Sequence, residues 1–276
     1  SMKNLKKLLI LGAGKMGGSL LKGLIDNTEL DFDIVVVEPH LNRDNADLIK
    51  KNKIKHYDSI KDIKEPDFDL ILFAVKPQVI EEVCNDVLEN LIQRKTFSII
   101  SILAGIKAKT FEGHFENSQV IRSMPNLAAS VGSAITALYA NESTDKLLKA
   151  LADKIFSGVG EVIWVDNEDI MDVITATSGS GPAYYFFLTE CLSFVAQELG
   201  LNPIDADKLS RQVAIGSSDI MKDSNDSLSN LREKVTSKGG TTEAALEVLM
   251  SPDKEFFNIF KRAVNKAYKK SKELSN

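Results

Sequence analysis

The first half of the chain alternates short apolar runs with longer segments that are apolar on one side only. Four apolar runs, at residues 8–11, 34–37, 70–75 and 97–102, predict buried strands. The segments between them have apolar residues at helical spacing, as from Ile80 to Leu91. Because parallel strands need crossover helices, this order predicts an α/β fold with an N-terminal Rossmann-like, doubly wound sheet.

After residues 164–166 the strand pattern stops, and the rest of the chain predicts helices and short turns. Pro182 opens a long apolar run that ends before Gly200, and Pro203 starts the next helix. The run is apolar around most of its circumference, so it needs cover on several sides. We therefore predict a first domain over residues 1–165, which contains the sheet, and an all-α dimerisation domain over 166–276, which pairs with a second copy in a homodimer.

A glycine-rich turn follows the first predicted strand and leads directly into a helical pattern. Its sequence is Gly12-Ala13-Gly14-Lys15-Met16-Gly17. In a dinucleotide-binding turn the first glycine permits the turn, the second lets a pyrophosphate approach, and the third allows close packing of helix on strand. A Walker loop would need lysine where Gly18 precedes Ser19, and the kinase motifs His-Arg-Asp and Asp-Phe-Gly are absent from the sequence. The turn therefore predicts a binding site for NAD(P)H and makes residues 1–165 a dinucleotide-binding domain.

Glu38 ends the second predicted strand, 21 positions after Gly17. A carboxylate at this place accepts hydrogen bonds from the ribose hydroxyls of NAD and repels the 2′-phosphate of NADP. Arg43 has two interpretations, since it either reaches toward a 2′-phosphate or lies in solvent at the start of the next helix. On balance the sequence favours NADH.

Two further loops follow predicted strands, and such loops border the ligand at the carboxyl edge of a parallel sheet. They are the segment Ala74-Val75-Lys76-Pro77 and the pair Ala104-Gly105. Lys76 is a catalytic candidate, but an exposed loop lysine or a backbone contact explains it equally well. The glycines of segment 178–183 are interpreted as tight backbone packing near the active site.

The segment 235–246 carries two glycines and four hydroxyl side chains directly before a helical pattern. Gly239 and Gly240 permit a sharp turn and a close approach to a ligand, and Thr241 or Thr242 is a candidate cap for a helix that begins near Glu243. Unpaired backbone N–H groups at such a helix start attract a carboxylate or a phosphate. The segment is therefore either an anion-binding loop or simply a capped helix after a polar loop.

Composition and charge narrow the classes of partner. The chain has 276 residues, of which 43% are hydrophobic, and its formal net charge of -5 gives no basis for binding nucleic acid. Cys84, Cys191 and the three histidines lack metal-ligand spacing, so we expect no metal site. No run approaches the roughly 18 apolar residues of a membrane span, and residues 1–4 lack a secretory apolar segment. We expect a cytoplasmic protein without membrane association.

Several motifs together resemble those of the pyrroline-5-carboxylate reductase family. They are the glycine turn at 12–17 and the segments 74–77, 122–126, 172–182 and 235–242, of which the last two are the most distinctive. The resemblance runs from about residue 7 to the C-terminal helix. It implies reduction of the cyclic imine 1-pyrroline-5-carboxylate to proline by NAD(P)H, the last step of proline biosynthesis. It also implies a homodimer, or a larger ring such as a decamer.

The resemblance gives the loop 237–242 a role in substrate binding. It implies that the substrate carboxylate lies against Ser237, Gly239, Gly240 and Thr241, and that the hydroxyl of Thr242 lies beside the ring nitrogen. A small carboxylate suits helix N-terminal amides and one or two hydroxyls. A cyclic imine is readily protonated, so its reduction needs orientation more than a strong acid. Thr242 is therefore the expected catalytic residue.

The chain departs from the family pattern at three places. Lys238 stands where many relatives have proline, and it either attracts the carboxylate or points into water. Many relatives also have a proline shortly after the position of Asn126, where this chain continues with Leu127, and NADPH-preferring relatives tend to have a hydroxyl or basic residue in place of Glu38. Two other interpretations stay open: another imine or 2-oxo-acid reductase on the same scaffold, and a non-catalytic dinucleotide-sensing module.

Overall fold

The computed structural model describes residues 7–91 and 97–276, and the prediction made for residues 1–4 lies outside them. The described strands form an eight-stranded sheet in the order β3-β2-β1-β4-β5-β6-β7-β8. The strands are β1 (Lys7–Leu11), β2 (Asp33–Val37), β3 (Lys55–Tyr57), β4 (Leu70–Phe73), β5 (Ser98–Ser101), β6 (Gln119–Met124), β7 (Ala134–Ala140) and β8 (Gly160–Trp164).

The sheet is parallel except at one pair. β6 and β7 run antiparallel, whereas β7 and β8 are parallel again. The four strands predicted from apolar runs are all present and pair in parallel through β2-β1-β4-β5, which confirms the Rossmann-like, doubly wound sheet. The apolar pattern does not single out β6, because this strand buries the polar side chains of Arg122 and Ser123. It also misses β3, β7 and β8, each of which leaves several residues exposed or half-buried.

Helices cover both faces of this sheet. Leu8 and Ile10 of β1 belong to one buried cluster, and Leu9 and Leu11 belong to another, because successive side chains of a strand point to opposite faces. Both faces are therefore buried, which explains why these strands appear in the sequence as continuous apolar runs. The α-helices of this part are α1 (Lys15–Asp26), α2 (Arg43–Lys51), α3 (Ile80–Asn90), α4 (Ala108–His114), α5 (Lys146–Ser157) and α6 (Ile170–Ile174).

The described residues form two compact units. The first extends to Ser180 and includes Ala267–Asn276, and the second is Gly181–Lys266. The last strand of the sheet ends at Trp164, and the predicted domain boundary at residue 165 stays a prediction. The remaining helices are α7 (Gly181–Glu198), α8 (Pro203–Asp223), α9 (Leu228–Lys234), α10 (Thr241–Leu249) and α11 (Glu255–Leu274).

Helix α7 begins and ends as predicted, with Pro182 in its first turn and Gly200 at a φ of 108° after its end. Its aromatic side chains are largely exposed within one chain, at 65% for Tyr185, 62% for Phe186 and 65% for Phe187. An apolar surface of this kind is typical of a protein interface. Among the described helices, none combines the length and the apolar character that crossing a membrane requires.

Candidate active site

The predicted turn between β1 and α1 is present, and two of its positions require glycine. Gly12 has a φ of 94°, and a Cβ there would lie 2.5 Å from the carbonyl oxygen of Ala74. A Cβ on Gly17 would lie 2.9 Å from the carbonyl oxygen of Gly12. Side chains at either position would push the turn away from the end of β4. The roles predicted for the first and third glycines therefore match the geometry.

The second glycine of the turn faces open space. Gly14 is the N-cap of α1, and a Cβ there would meet nothing within 4 Å. Helix α1 has no side-chain cap and no acidic residue in its first turn. The first helical hydrogen bond runs from Gly18 N–H to Gly14, so the amides of Lys15 and Met16 have no partner within the helix. Such amides, at the positive end of the helix dipole, suit a phosphate group.

Glu38 lies directly beside this turn. Its carboxylate accepts a hydrogen bond from Ala13 N–H at 3.2 Å and another from His40 N–H at 3.3 Å. The side chain therefore stands at the carboxyl end of β2, where the sequence predicted a contact with the cofactor ribose. Arg43 is the first residue of α2 and is exposed, as in the solvent interpretation of this residue.

The turn has a further contact that the sequence pattern did not indicate. The amide nitrogen Nδ2 of Asn45 donates to the carbonyl oxygens of Ala13 at 2.5 Å and Gly14 at 3.2 Å. Asn45 is 7% exposed although it belongs to the first turn of α2. An asparagine in the first turn of a helix carries no local sequence signal of burial, so only the structure links Asn45 to the glycine turn.

The two loops predicted to border the cofactor lie at the carboxyl ends of neighbouring strands. Ala74 follows β4 and donates its N–H to Leu11 at 2.7 Å, which ties this loop to the start of the glycine turn. Lys76 is exposed and precedes a 3₁₀ turn that begins at Pro77, and Val75 is half-buried. Gly105 follows β5 with a φ of 74°, beside half-buried Ala104. These loops and the glycine turn therefore share one edge of the sheet.

A cleft of about 410 Å³ opens at this edge of the sheet. Residues from α1, from the ends of β5 and β6, and from the segment before α7 line it. The cleft continues from the first turn of α1, so a ligand bound at the glycine turn can extend into it. Its lining residues are Lys15, Met16, Ser19, Ile102, Met124, Pro125, Asn126, Leu127, Thr175, Gly179 and Ser180.

One wall of this cleft is a π-helix, Thr175–Gly179, which continues α6. Asn126 joins it to the end of β6, since its Nδ2 donates to the carbonyl oxygen of Ser178 at 3.2 Å. A Cβ on Gly179 would lie 3.4 Å from the sulfur of Met124, an ordinary van der Waals contact, and a Cβ on Gly181 would meet nothing within 4 Å, so the prediction of tight backbone packing at these glycines was wrong. Single π-turns are frequent at functional sites. Asn126, Thr175 and Ser180 belong to motifs that the sequence singled out without giving these residues a role.

A buried ion pair holds the segment that leads to the π-helix. Nη1 of Arg122 on β6 lies 3.1 Å from Oε2 of Glu168, and the same oxygen accepts Ala108 N–H at the start of α4 at 2.8 Å. Arg122 is only 4% exposed. Burial, together with the negative charge of Glu168, raises the pKa of the neighbouring Tyr139. The ion pair thus fixes the segment around Glu168 to β6, shortly before α6 and the π-helix that lines the cleft.

The loop 237–242 lies in the second unit, and it differs from the prediction at the helix start. Helix α10 begins at Thr241 rather than near Glu243, and its N-cap is Gly240. No side chain caps it, so the prediction that Thr241 or Thr242 is the cap was wrong. Glycine serves as an N-cap because its extended backbone, here with a ψ of 179°, needs no side chain. Both threonine hydroxyls are consequently free of a capping role.

Contacts within this loop fix its shape. Gly239 has a φ of 76°, and Gly240 N–H donates to Ser237 at 3.0 Å. A Cβ on Gly240 would lie 3.1 Å from the Ser237 carbonyl oxygen, so this glycine permits the close approach. The Glu243 side chain accepts Gly239 N–H at 3.3 Å, which leaves fewer free amides than the sequence suggested. Lys238 is exposed.

The structure brings the predicted cofactor residues together at one edge of the sheet in the first unit. The predicted substrate residues form a second cluster, around the start of α10 in the second unit. Across residues 7–91 and 97–276, histidine, cysteine and acidic side chains form no group of three or more that could hold a metal ion.

Comparison with known protein families assigns the two parts of the chain separately. Residues 168–274 match the family model described as pyrroline-5-carboxylate reductase dimerisation. Residues 7–105 match the model described as NADP oxidoreductase, coenzyme F420-dependent. The first match covers the loop 237–242, and the second covers the glycine turn and Glu38.

Individual relatives match over nearly the whole chain. The pyrroline-5-carboxylate reductase of Synechocystis is 35% identical over 269 residues, which cover 97% of this chain and 98% of the relative. A solved pyrroline-5-carboxylate reductase from Coxiella burnetii is 35% identical, with a TM-score of 0.86 over 99% of this chain and 100% of the other. The pyrroline carboxylate reductase of Plasmodium falciparum, solved with NADP bound, is 26% identical with a TM-score of 0.82 over 100% of both chains.

Proposed function

Because the chain belongs to the pyrroline-5-carboxylate reductase family, we propose that it reduces 1-pyrroline-5-carboxylate to proline with NAD(P)H, the last step of proline biosynthesis. The observation that carries this proposal is the start of α10, where Gly240 is the N-cap and neither threonine hydroxyl is used in capping. Amides and hydroxyls at this helix start can bind one small carboxylate. The same chain carries a glycine turn with space for a dinucleotide.

The glycine turn would hold the pyrophosphate of the dinucleotide. The residues fit this group, since Gly14 leaves open space and the amides of Lys15 and Met16 have no helical partner. The loops 74–77 and 104–105 would border the rest of the cofactor. The dinucleotide, when bound, supplies the hydride. Glu38 would accept a ribose hydroxyl and favour NADH over NADPH.

The chain's own residues would bind and orient the imine. The hydroxyls of Ser237 and Thr241 and the backbone amide of Thr241 would hold the carboxylate, and this anchor would fix the ring. Gly239 and Gly240, whose own amides donate within the loop, would let the carboxylate approach the backbone closely. Thr242, the second residue of α10, would place its hydroxyl beside the ring nitrogen, which carries the proton, and so orient the imine carbon to accept the hydride. Orientation suffices because a cyclic imine nitrogen is readily protonated in water.

One assay separates this function from its competitors. NADH and NADPH absorbance is followed with 1-pyrroline-5-carboxylate and, separately, with open-chain 2-oxo acids. We expect oxidation with the cyclic imine only. Oxidation with the 2-oxo acids alone would identify a different reductase on this scaffold, and binding of NADH without oxidation by any of these compounds would identify a dinucleotide-sensing module.

The chain carries the dimerisation region of its family, so it forms an oligomer. We propose a homodimer that covers the exposed aromatic side chains of α7, and a larger ring such as a decamer built from it. A cytoplasmic location is part of the same proposal, which the free thiols of Cys84 and Cys191 support. Light scattering tests the assembly, and an active, stable monomer would contradict it.

A further inference from the structure

Two backbone carbonyl groups of the glycine turn accept hydrogen bonds from a side chain that is not part of the dinucleotide-binding motif. We infer that Asn45 is a positioning residue for the cofactor, because it orients the amides of the turn without touching the ligand itself. The inference rests on the proposed placement of the pyrophosphate at this turn. Its test measures binding of the dinucleotide alone, so it does not depend on the identity of the imine substrate.

The backbone of Asn45 is fixed by a helix cap, independently of its contact with the turn. Asn42 caps helix α2, and its side-chain oxygen accepts the backbone N–H of Asn45 at 2.8 Å. This bond fixes the backbone of the first helical turn, and the side chain is 7% exposed. Nδ2 then donates to the carbonyls of Ala13 and Gly14, at 2.5 Å and 3.2 Å. Two successive peptide groups of the turn are therefore held by one amide.

The space for this side chain exists because residue 18 is glycine. A Cβ on Gly18 would fall on the side-chain amide of Asn45, far inside van der Waals contact with its Oδ1. Gly18 lies in the interior of α1, where glycine destabilises a helix by about 0.5–1 kcal/mol relative to alanine. A glycine at this position is therefore explained by the neighbouring asparagine rather than by the helix.

The geometry of the peptide bond links these contacts to the ligand. In a trans peptide the C=O and the following N–H point in opposite directions. Asn45 holds the C=O of Ala13 and of Gly14, so the N–H groups of Gly14 and Lys15 point away from Asn45. Glu38 restrains the other side of Ala13 by accepting its N–H at 3.2 Å. Three successive peptide groups of the turn are thus restrained before a ligand binds.

The test is the affinity of Asn45→Ala for NADH, measured on the intact protein by calorimetry and by NADH fluorescence. Loss of the two restraints is expected to raise Kd about tenfold. The KM for NADH should rise with it, while kcat at saturating NADH and the KM for the imine stay within about twofold, since the residue does not touch the reacting atoms. General structural damage would lower kcat as well.

The matched control is Asn52→Ala. Asn52 lies at the other end of α2 and also donates its Nδ2 to a backbone carbonyl, that of Leu48, at 2.9 Å, but this contact is exposed and distant from the turn. Its loss should leave the Kd for NADH unchanged. If Asn45→Ala does not fold, Asn45→Ser, which keeps one donor, should show the same pattern with a smaller rise in Kd.

Gly18→Ala provides an independent measurement, because its methyl group should displace the amide of Asn45. It should weaken NADH binding about tenfold in the wild-type chain but less than about twofold in the Asn45→Ala background, where the obstructed atoms are gone. An Asn45 variant that folds and binds NADH within twofold of wild type would overturn the inference. Additive effects of the two substitutions, or a fall in kcat at unchanged Kd, would also overturn it.

Discussion

Replacing Glu38 with serine should raise the use of NADPH relative to NADH. The carboxylate stands at the end of β2, held by Ala13 N–H at 3.2 Å and His40 N–H at 3.3 Å. From this place it would accept a ribose hydroxyl of NADH and repel the 2′-phosphate of NADPH. The serine variant removes both effects, and they act on the cofactor ratio in the same direction.

The size of the shift follows from the half-exposed position of Glu38. In water, two unit charges about 4 Å apart interact by about 1 kcal/mol, and a phosphate monoester carries about 1.5 to 2 charges. A lost hydrogen bond to a partly exposed carboxylate contributes about another 1 kcal/mol. Together they amount to about 2.5 to 3 kcal/mol, or about 70- to 150-fold in the ratio of kcat/KM values for NADPH and NADH.

The assay compares kcat/KM for the two dinucleotides at a fixed imine concentration. Loss of the bond to Ala13 N–H weakens both cofactors alike and cancels in the ratio. Glu38→Gln keeps a side-chain oxygen for Ala13 and should show only the electrostatic part, about 10- to 30-fold, which added salt should reduce. Asp44→Ser removes an exposed acid from the first turn of α2 and is the control. A ratio within twofold of wild type for Glu38→Ser, or an equal shift for Asp44→Ser, would refute the reasoning.

Thr242→Ala should lower kcat/KM for the imine roughly tenfold, since one orienting hydrogen bond is lost, and wild-type steady-state kinetics would remove Thr242 from its proposed role. Glu168→Ala should lower the free energy of unfolding by about 3–5 kcal/mol, because it leaves the buried guanidinium of Arg122 without its partner. Urea unfolding checks this against exposed Glu161→Ala, and equal losses in the two variants would contradict it. Burial and the nearby Glu81 raise the pKa of Cys84 from 9.0 to about 12, so the unfolded thiol ionises before the folded one. Stability present below pH 9.0 should therefore fall as the pH rises toward about 12, and urea unfolding of Cys84→Ser should show a shallower loss; equal slopes in the two proteins would argue against the shift.

The glycine turn could be predicted residue by residue because its requirements are local. A positive φ at Gly12 and the contact of Gly17 with the Gly12 carbonyl both arise within six positions of sequence, and only glycine satisfies them. The positions of the apolar strands on either side could also be predicted, since a sheet covered on both faces leaves few polar positions within a strand. The position of Glu38 follows from the same repeating unit.

The start of α10 shows where local patterns stop being decisive. Gly240, Thr241 and Thr242 are all acceptable N-cap residues, and sequence preferences differ too little to choose among neighbours. In the structure the N-cap is Gly240, and because it lacks a Cβ the chain can approach Ser237 closely. That shift of one or two positions has a chemical consequence, because neither threonine hydroxyl is used in capping.

Asn45 and Asn126 could not be predicted, because each acts across the fold on backbone atoms that are distant in sequence. Asn126 reaches the carbonyl of Ser178, and Asn45 reaches those of Ala13 and Gly14. An asparagine in the first turn of a helix is unremarkable by itself, and so is a glycine within a helix. The role of Asn45 and Gly18 becomes visible only when the two are seen together, since Gly18 lacks a Cβ where Asn45 places its amide. Residues that would contact a ligand directly follow recognisable motifs, whereas residues that hold the backbone of the site in shape are identified by the neighbours that leave room for them.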